Sequence, residues 1–168
     1  MAETQIFVCT VETPGGPKDY ITLVEPKLAF AHGLAPEAVV GVLSRPLESG
    51  EVITPDLFAR NRQFVDFLHE VIEREALQQP GFQAEAQRLS NGWVYIIDQR
   101  TSTPGGPVPP EDILGGFEVK DGTVVAGSYQ ANPRHQILSA RGFFRLDDEL
   151  LACLLREMRK RCSGKHPG

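Results

Sequence analysis

Two polar segments of the chain carry residue types suited to acid–base chemistry. Asp98 and Arg100 lie where the apolar segment WVYII gives way to a loop, and His135 lies in the loop-rich segment SYQANPRHQILSARGFF. Loops on a rigid sheet are where catalytic and binding groups gather. If the two loops meet, Asp98 can orient His135 as a general base while an arginine neutralises an anionic substrate. The hypothesis makes Asp98 and His135 the catalytic pair and assigns ligand binding to Arg100, Arg134, Tyr129 and Arg141.

The same residues also have purely structural interpretations. Asp98 can cap the turn that follows its strand, Asn132-Pro133 is ordinary turn chemistry, and His135 can hydrogen-bond to backbone. Whether the two loops converge depends on the fold, so both interpretations stay open at this point.

No metal site and no cofactor is predicted. His69 begins the segment HEVIE, which matches only the first half of the zinc motif H-E-x-x-H, because Glu73 stands where the second histidine is needed. The sequence contains no G-x-S-x-G nucleophile motif and no glycine-rich phosphate-binding motif. Glu111 and Asp112 are adjacent, so on a strand they would face opposite sides, which is poor geometry for a two-carboxylate mechanism.

The pentapeptide TPGGP occurs twice, at Thr13–Pro17 and at Thr103–Pro107, each time after an apolar segment. Duplication and repeated turn chemistry are the two explanations, and the second is favoured because the sequences following the two copies do not align. Proline donates no backbone hydrogen bond, so a phosphate-cradling role is not expected. Both copies are predicted to be stiff surface turns.

The second copy continues into a proline-rich segment, STPGGPVPPEDIL. Several prolines in a short stretch favour an extended, preorganised backbone, which can serve as a peptide-like recognition surface. This predicts a partner-binding surface, the alternative being an ordered crossover without a binding role. The predicted contact residues are Pro104, Pro107, Pro109, Pro110, Ile113 and Leu114.

Strands and turns are predicted from β-branched residues and turn dipeptides. IFVCTV and YITLVE are expected to pair across a loop of about eight residues. Asn91-Gly92 and Asp121-Gly122 predict two further hairpins, because both dipeptides tolerate positive φ. For residues 82–89 a helix is the competing prediction, since Gln, Ala, Glu and Arg favour helices.

Two amphipathic helices stand out. The segment TPDLFARNRQFVDFLHEVIEREAL predicts a helix with Thr54 as N-cap and Pro55 at the first position. Residues 147–161 predict another, with acidic residues at its start and basic residues at its end. PEAVVGVL, from Pro36, is expected to form a short helix.

These elements predict an α+β fold, a two-layer domain with a mainly antiparallel sheet packed against two amphipathic helices. A parallel Rossmann-like sheet is the weaker alternative. The 168 residues suit one globular domain over 1–162, followed by a flexible C-terminal tail over 163–168.

Charge and composition limit the partners and the compartment. The net charge is −5, and a basic segment from Arg134 to the end follows an acidic body. Nucleic-acid binding is not expected, because it favours a basic face over the whole domain. The start of the chain lacks signal-peptide features and no apolar run is long enough for a membrane span. Three widely spaced cysteines indicate reduced thiols and a cytoplasmic protein.

The predicted function is a protein-binding or accessory module that uses the proline-rich loop and the neighbouring sheet edge. Its partner would be another protein or a second copy in a homo-oligomer. The alternative, from a different class, is a small enzyme or small-molecule binder with the Asp98, Arg100, Arg134 and His135 pocket.

Overall fold

The computed structural model describes residues 4–101 and 107–162. The strands are β1 (Phe7–Thr13), β2 (Gly16–Thr22), β3 (Val39–Leu43), β4 (Phe58–Arg60), β5 (Gly92–Ile97), β6 (Ile113–Lys120), β7 (Thr123–Val124), β8 (Gln130–Ala131), β9 (Leu138–Ser139) and β10 (Gly142–Phe143). The helices are α1 (Pro26–His32), α2 (Arg62–Ala76), α3 (Pro80–Leu89) and α4 (Asp148–Cys162).

The strands form antiparallel sheets, and the predicted α+β class is confirmed. One sheet has the order β1-β2-β3-β4, and another joins β5, β6 and β7, with β8 also paired to β6. A two-stranded ribbon of β9 and β10 completes the set. Of the four helices in the described part of the chain, α2 and α4 are the long amphipathic pair. The predicted C-terminal tail, 163–168, lies outside the described residues.

The first TPGGP copy forms a tight turn. Thr13 pairs with Gly16, so the turn between β1 and β2 has two residues where the sequence predicted a loop of about eight. Gly16 has φ +107°, a conformation that residues with a side chain rarely adopt. The loop prediction was wrong because the strands extend into the proline-containing segment.

The long helix begins later than its sequence signals predicted. Thr54 and Pro55 begin a single 3-10 turn, Pro55–Leu57, which leads into β4. Helix α2 starts after Asn61, whose side-chain oxygen accepts a hydrogen bond from the Gln63 N–H at 3.3 Å. The Thr54 side chain makes no cap hydrogen bond, and the pairing of β4 with β3 removes this segment from the predicted helix.

Two other local predictions are corrected. Residues 82–89 belong to α3, so the hairpin predicted around Asn91-Gly92 is wrong, and Pro80 begins the helix at its favoured first position. PEAVVGVL forms only a 3-10 turn, Pro36–Ala38, before β3. By contrast, the Asp121-Gly122 hairpin is confirmed, with positive φ at both residues.

One apolar core joins the sheets to the helices. Its largest fully buried side chains include Phe64 on α2, Phe117 on β6, Leu154 on α4 and Phe144. Among the described residues, no helix is both long enough and apolar enough to cross a membrane. Because the core is continuous, residues far apart in sequence can meet at one buried site.

The two main sheets repeat the same strand arrangement. Tyr20 and Ile21 on β2 face Val42 and Gly41, and the register shifts directly after Ile21. On β5, Tyr95 and Ile96 face Gly116 and Gly115, and the register shifts directly after Ile96. The units β2-β3-β4 and β5-β6-β8 are therefore structural counterparts.

Matching asparagines close the two units. In the first, Asn61 Nδ2 donates to the carbonyls of Pro36 and Val39, each at 2.8 Å. In the second, Asn132 Nδ2 donates to the carbonyls of Pro110 and Ile113, each also at 2.8 Å. The two clamped segments read PEAVVG (36–41) and PEDILG (110–115), so the structural repeat has a sequence counterpart.

The TPGGP copies do not belong to this repeat. The first precedes the Tyr20-Ile21 segment of β2, whereas the second follows the equivalent Tyr95-Ile96 segment of β5. Four of the five residues in the second copy, 103–106, lie outside the described residues. The two copies occupy different places in two related units, so they are not counterparts within the structural repeat.

Candidate functional site

Asp98 lies at the inner end of β5, directly after its last residue. The inward alternation of Val94 and Ile96 continues to Asp98, whose exposure is 0%. Its Oδ1 accepts hydrogen bonds from the backbone N–H groups of Arg100 and Arg145, each at 3.0 Å. Burial would raise the pKa of Asp98, but hydrogen bonds from His135 and from the backbone, together with the charge of Arg100, hold it below its ordinary value.

Arg100 is the central cation of the site, with a side chain only 1% exposed. Its Nη2 donates to Asp98 Oδ2 at 2.9 Å and to the Gln136 carbonyl at 2.6 Å. Its Nη1 donates to Ser139 Oγ at 3.0 Å and to the Gly142 carbonyl at 2.8 Å. One guanidinium therefore joins the end of β5 to the loop before β9 and to the β9–β10 ribbon.

Asp112 is the second buried carboxylate, also 0% exposed. Its Oδ2 accepts hydrogen bonds from Thr101 Oγ1 at 2.7 Å and from Arg141 Nη2. Its Oδ1 lies 3.3 Å from Arg100 Nε, although neither atom makes a hydrogen bond with the described residues. Two carboxylates and two guanidiniums therefore balance, which leaves the network neutral when His135 is uncharged.

His135 is held by this network through one ring nitrogen. Nε2 lies 2.9 Å from Asp98 Oδ2, and the ring is almost completely buried. Because a carboxylate can only accept, Nε2 carries the proton and Nδ1 of the neutral ring keeps its lone pair. No residue in the described ranges hydrogen-bonds to Nδ1. Asp98 thus fixes the ring orientation and the tautomer.

The first structural unit fills the corresponding positions with apolar side chains. Ala38 is the counterpart of Asp112, Leu23 follows β2 as Asp98 follows β5, and Phe64 lies three residues after Asn61 as His135 lies after Asn132. All three apolar residues are buried, at 2% exposure or less. Buried ion pairs are often no more stable than apolar replacements, and the first unit shows that this frame accommodates apolar side chains at three of the positions.

A small cleft lies on the other side of His135, and we call it the His135 cleft. Its volume is about 190 Å³. The lining residues are Arg60, Arg62, Val65, Asp66, His69, Ala131, Asn132, Pro133, His135 and Ile137. Since one water occupies roughly 30 Å³ in the liquid, the cleft suits a ligand of only a few heavy atoms.

His69 faces the same cleft from helix α2. Its Nδ1 lies 2.7 Å from Tyr129 Oη. Burial and the nearby His135 lower the pKa of His69 to about 4, although Asp66 opposes the shift. His69 is therefore neutral at pH 7. Burial also raises the pKa of Tyr129, so its hydroxyl stays protonated beside Nδ1 of His69.

An outer cavity adjoins the His135 cleft. It has a volume of about 550 Å³ and shares Arg60, Pro133 and His135 with the cleft, while Arg134 and Glu111 line its outer part. The Arg60 and Arg134 side chains are exposed, and neither is paired with a residue in the described ranges. Arg62 is less available, because it lies 3.3 Å from Asp66.

The structure brings together most of the predicted pocket residues, but they differ in how directly they reach the His135 cleft. Asp98, His135, Arg100 and Arg141 belong to one network, but Arg100 is enclosed and Arg141 is engaged by Asp112. Tyr129 reaches the cleft only through His69. Arg134 lines the outer cavity.

The predicted partner-binding residues are dispersed between surface and core. Pro107 and Pro110 are exposed, Pro109 and Ile113 are half-buried, and Pro104 lies outside the described residues. Leu114 is 0% exposed. It lies on β6, which pairs with β5 on one side and with β8 on the other, so this strand offers no free edge there.

Sequence reasoning did not assign Asp112, Ser139, His69 or Arg60 to the site. For helix α2 a signal existed, because Arg62, Asp66 and His69 recur at the spacing of one helical face. No local sequence pattern identified Asp112, because its place in the site depends on its contacts with Arg100 and Arg141.

The arrangement can bind an anionic group and accept a proton at His135. No group of three or more His, Cys, Asp or Glu side chains within the described ranges is arranged to hold a metal ion. Comparison of the chain with protein-family models, with curated proteins and with solved structures gives no match.

Proposed function

We propose that this protein binds a small anionic molecule in the His135 cleft, with Arg60 as the contact of the anionic group and with His135, positioned by Asp98, as a proton acceptor beside it. The observation that carries the proposal is the buried charge network in one unit where its counterpart is apolar. The first unit closes with Leu23, Ala38 and Phe64 at the positions of Asp98, Asp112 and His135, and buried charges are costly to place in a core. A selected function is the simplest reason for its presence.

The charges around the cleft support an anionic ligand. Arg60 and Arg134 line the outer cavity, neither is paired with a described residue, and guanidinium is well suited to carboxylate and phosphate. Asp66 and Glu111 add negative charge, but Asp66 is engaged by Arg62. The small volume favours compact anions over nucleotides or peptides.

NMR titration of the histidine ring signals with inorganic phosphate, sulfate, acetate and pyruvate tests this proposal. We expect at least one anion to shift the His69 and His135 signals saturably, and Arg60→Ala to weaken binding about tenfold or more, as expected for a lost charge-assisted contact. Arg88→Ala is the matched control, since Arg88 is an exposed arginine on α3, paired with Glu85. Absence of saturable shifts with all four anions would contradict the proposal.

Protein binding is a second candidate, supported by the surface of β5. Tyr95 is 53% exposed and Trp93 37%, and the only strand within the described ranges that pairs with β5 is β6. An open strand edge beside exposed aromatic side chains can accept a partner. The exposed Pro107 and Pro110 are a separate surface, and they are the part of the proline-rich segment available for contact.

The candidate partners are another protein or a second copy of this chain. Sedimentation velocity measures self-association, and capture on immobilised protein detects another partner. We expect Tyr95→Ser to abolish either association if this face carries it. Association unchanged in that variant would exclude the β5 surface.

A cytoplasmic location also remains part of the proposal. Cys9, Cys153 and Cys162 are all free thiols, and burial raises the pKa of each. Free thiols persist most readily in a reducing compartment. Fluorescence microscopy of the tagged full-length chain tests the location.

A further inference from the structure

The two histidines of the His135 cleft are connected to the protein in opposite senses. Nδ1 of His69 lies 2.7 Å from Tyr129 Oη, and in the tautomer in which Nδ1 accepts from that hydroxyl, Nε2 carries the proton and is a donor. Asp98 accepts from Nε2 of His135, so the remaining nitrogen, Nδ1, is an acceptor. In these tautomers the cleft is lined by an imidazole donor, Nε2–H of His69, and by an imidazole acceptor, Nδ1 of His135.

We propose that the cleft catalyses proton abstraction next to a carbonyl group in a small anionic carbonyl compound, with His135 as the base and His69 as the donor to the carbonyl oxygen. This inference rests on the proposed anion-binding function and assigns it a reaction class. Arg60 lines both the cleft and its outer opening, which suits it to the anionic group of such a substrate.

The proton-transfer step is balanced without a co-reactant. The carbon–hydrogen bond next to the carbonyl breaks, and its proton goes to Nδ1 of His135. The electron pair forms a carbon–carbon double bond, while the carbonyl π electrons move to oxygen, where the Nε2–H of His69 stabilises the developing negative charge. Return of a proton to the same carbon restores the substrate, with solvent hydrogen incorporated.

The Asp98 carboxylate is placed to offset the positive charge that His135 gains on protonation. When His135 accepts the proton, the imidazolium lies 2.9 Å from the ionised Asp98. A neutral imidazole can also serve as the hydrogen-bond donor to the oxygen of a carbonyl or enolate. Among the described residues, the lining of the cleft includes no serine, threonine or cysteine to act as a hydroxyl or thiol nucleophile.

Deuterium exchange into pyruvate is the direct test. The full chain is incubated with pyruvate in D₂O, and loss of the methyl proton signal is followed by NMR. We expect exchange above the buffer rate and a loss of about 100-fold or more in His135→Gln, in the range expected for removing a general base. His69→Gln should lower the maximal rate while pyruvate still binds. Arg88→Ala should exchange at the parent rate.

The outcomes separate the two proposals. Binding of pyruvate without exchange would overturn the reaction class and leave anion binding intact. Binding of phosphate but not pyruvate would refute the carbonyl substrate. No binding of any of the four anions would remove both proposals. Exchange that survives in His69→Gln and His135→Gln, with folding verified by circular dichroism, would show that the histidines are not the acid–base pair.

Discussion

At the residue scale, the main feature is a balanced group of charges with almost no access to water. Asp98 and Asp112 are 0% exposed, and the Arg100 side chain between them makes contacts with both. Removing one member of such a group leaves another charge buried without a partner, whereas removing all members does not. A variant that replaces the whole group by apolar residues therefore tests whether the network is required for folding.

We expect Asp98→Leu alone to lower the free energy of unfolding by about 3–5 kcal/mol, because Arg100 loses its closest carboxylate contact. The fourfold variant Asp98→Leu, Arg100→Leu, Asp112→Ala, His135→Phe places the residues of the first unit, or their apolar character, at three positions and removes the Arg100 charge that would otherwise lose its partners. It should recover to within about 2 kcal/mol of the parent, since apolar replacement of buried ion pairs is often neutral. Urea unfolding measures both values. A fourfold variant as unstable as Asp98→Leu would mean that the fold requires the charges.

His69 makes stability depend on pH in a defined window. Its pKa is about 4 in the folded protein against an ordinary value of 6.5, so the unfolded chain binds more protons between these values. The stabilisation is complete above pH 6.5 and is lost as the pH falls towards 4, by about 3 kcal/mol as an upper figure at 1.36 kcal/mol per pH unit. Thermal unfolding from pH 7.5 to 4 measures this loss.

The control for this window is His32→Gln, at an exposed histidine on α1. It should leave the pH dependence unchanged, whereas His69→Gln should flatten it. Asp98 acts at lower pH, because its pKa is held below the ordinary 3.8 and its stabilisation is lost only as the pH falls below about 4. An unchanged slope in His69→Gln would contradict the assignment.

At the element scale, each repeated unit has a closely packed glycine at the same position of its central strand, Gly41 on β3 and Gly115 on β6. A Cβ on Gly115 would lie 2.7 Å from the Gln130 carbonyl and would strike the Tyr129 ring. A Cβ on Gly41 would lie 2.6 Å from the Ala59 carbonyl and would strike the Phe58 ring. In each unit, the close approach lets an aromatic ring lie across the central strand, and in the second unit this ring holds His69.

Gly115→Ala is expected to lower the free energy of unfolding by about 1–3 kcal/mol, as for overpacking elsewhere. It should also displace Tyr129 and release His69, which raises the pKa of His69 towards its ordinary value. Urea unfolding and NMR titration of His69 measure the two effects. The control is Gly81→Ala on α3, where a Cβ meets nothing within 4 Å and should stabilise the helix by about 0.5–1 kcal/mol. Equal stability of Gly115→Ala and the parent would contradict the close-packing argument.

At the scale of the whole molecule, the two units share one core. Phe58 on β4 packs against Phe143 on β10, with ring centroids 5.5 Å apart. Phe64 on α2 packs against Phe144, with ring centroids 5.8 Å apart. His69 and Tyr129 add a polar contact across the same boundary. The site therefore forms only when α2, which follows the first unit and carries His69, packs against the second unit and the loop that carries His135.

The protein should consequently unfold in one cooperative transition. Ile21→Ala and Leu114→Ala, one fully buried position in each part, should each destabilise that same transition by about 2–4 kcal/mol. Far-ultraviolet circular dichroism and fluorescence of the single tryptophan, Trp93, provide two probes of it. Separate transitions, each sensitive to only one substitution, would show that the parts fold independently.

Local signals in the sequence were sufficient for several elements. The charge distribution of residues 147–161 predicted α4, and Asp121-Gly122 predicted the turn between β6 and β7, because both signals act within a few residues. The same kind of signal failed at Thr54, where pairing of β4 with β3 overrode a helix cap. Local preference is worth about 1 kcal/mol per residue or less, so a paired strand can reverse it.

The residue types at the candidate site could also be identified from the sequence. The pairing of Asp98 with His135 was predicted from the composition of two loops alone. Their contact, the participation of Asp112 and the approach of His69 are properties of the tertiary structure, because they join positions separated by up to 66 residues in the chain. The sequence determined the α+β class, the chemical groups and the alternation that turns Asp98 inward. Only packing of the two units decided which groups meet, since burial and hydrogen bonding between distant segments depend on how the whole chain closes.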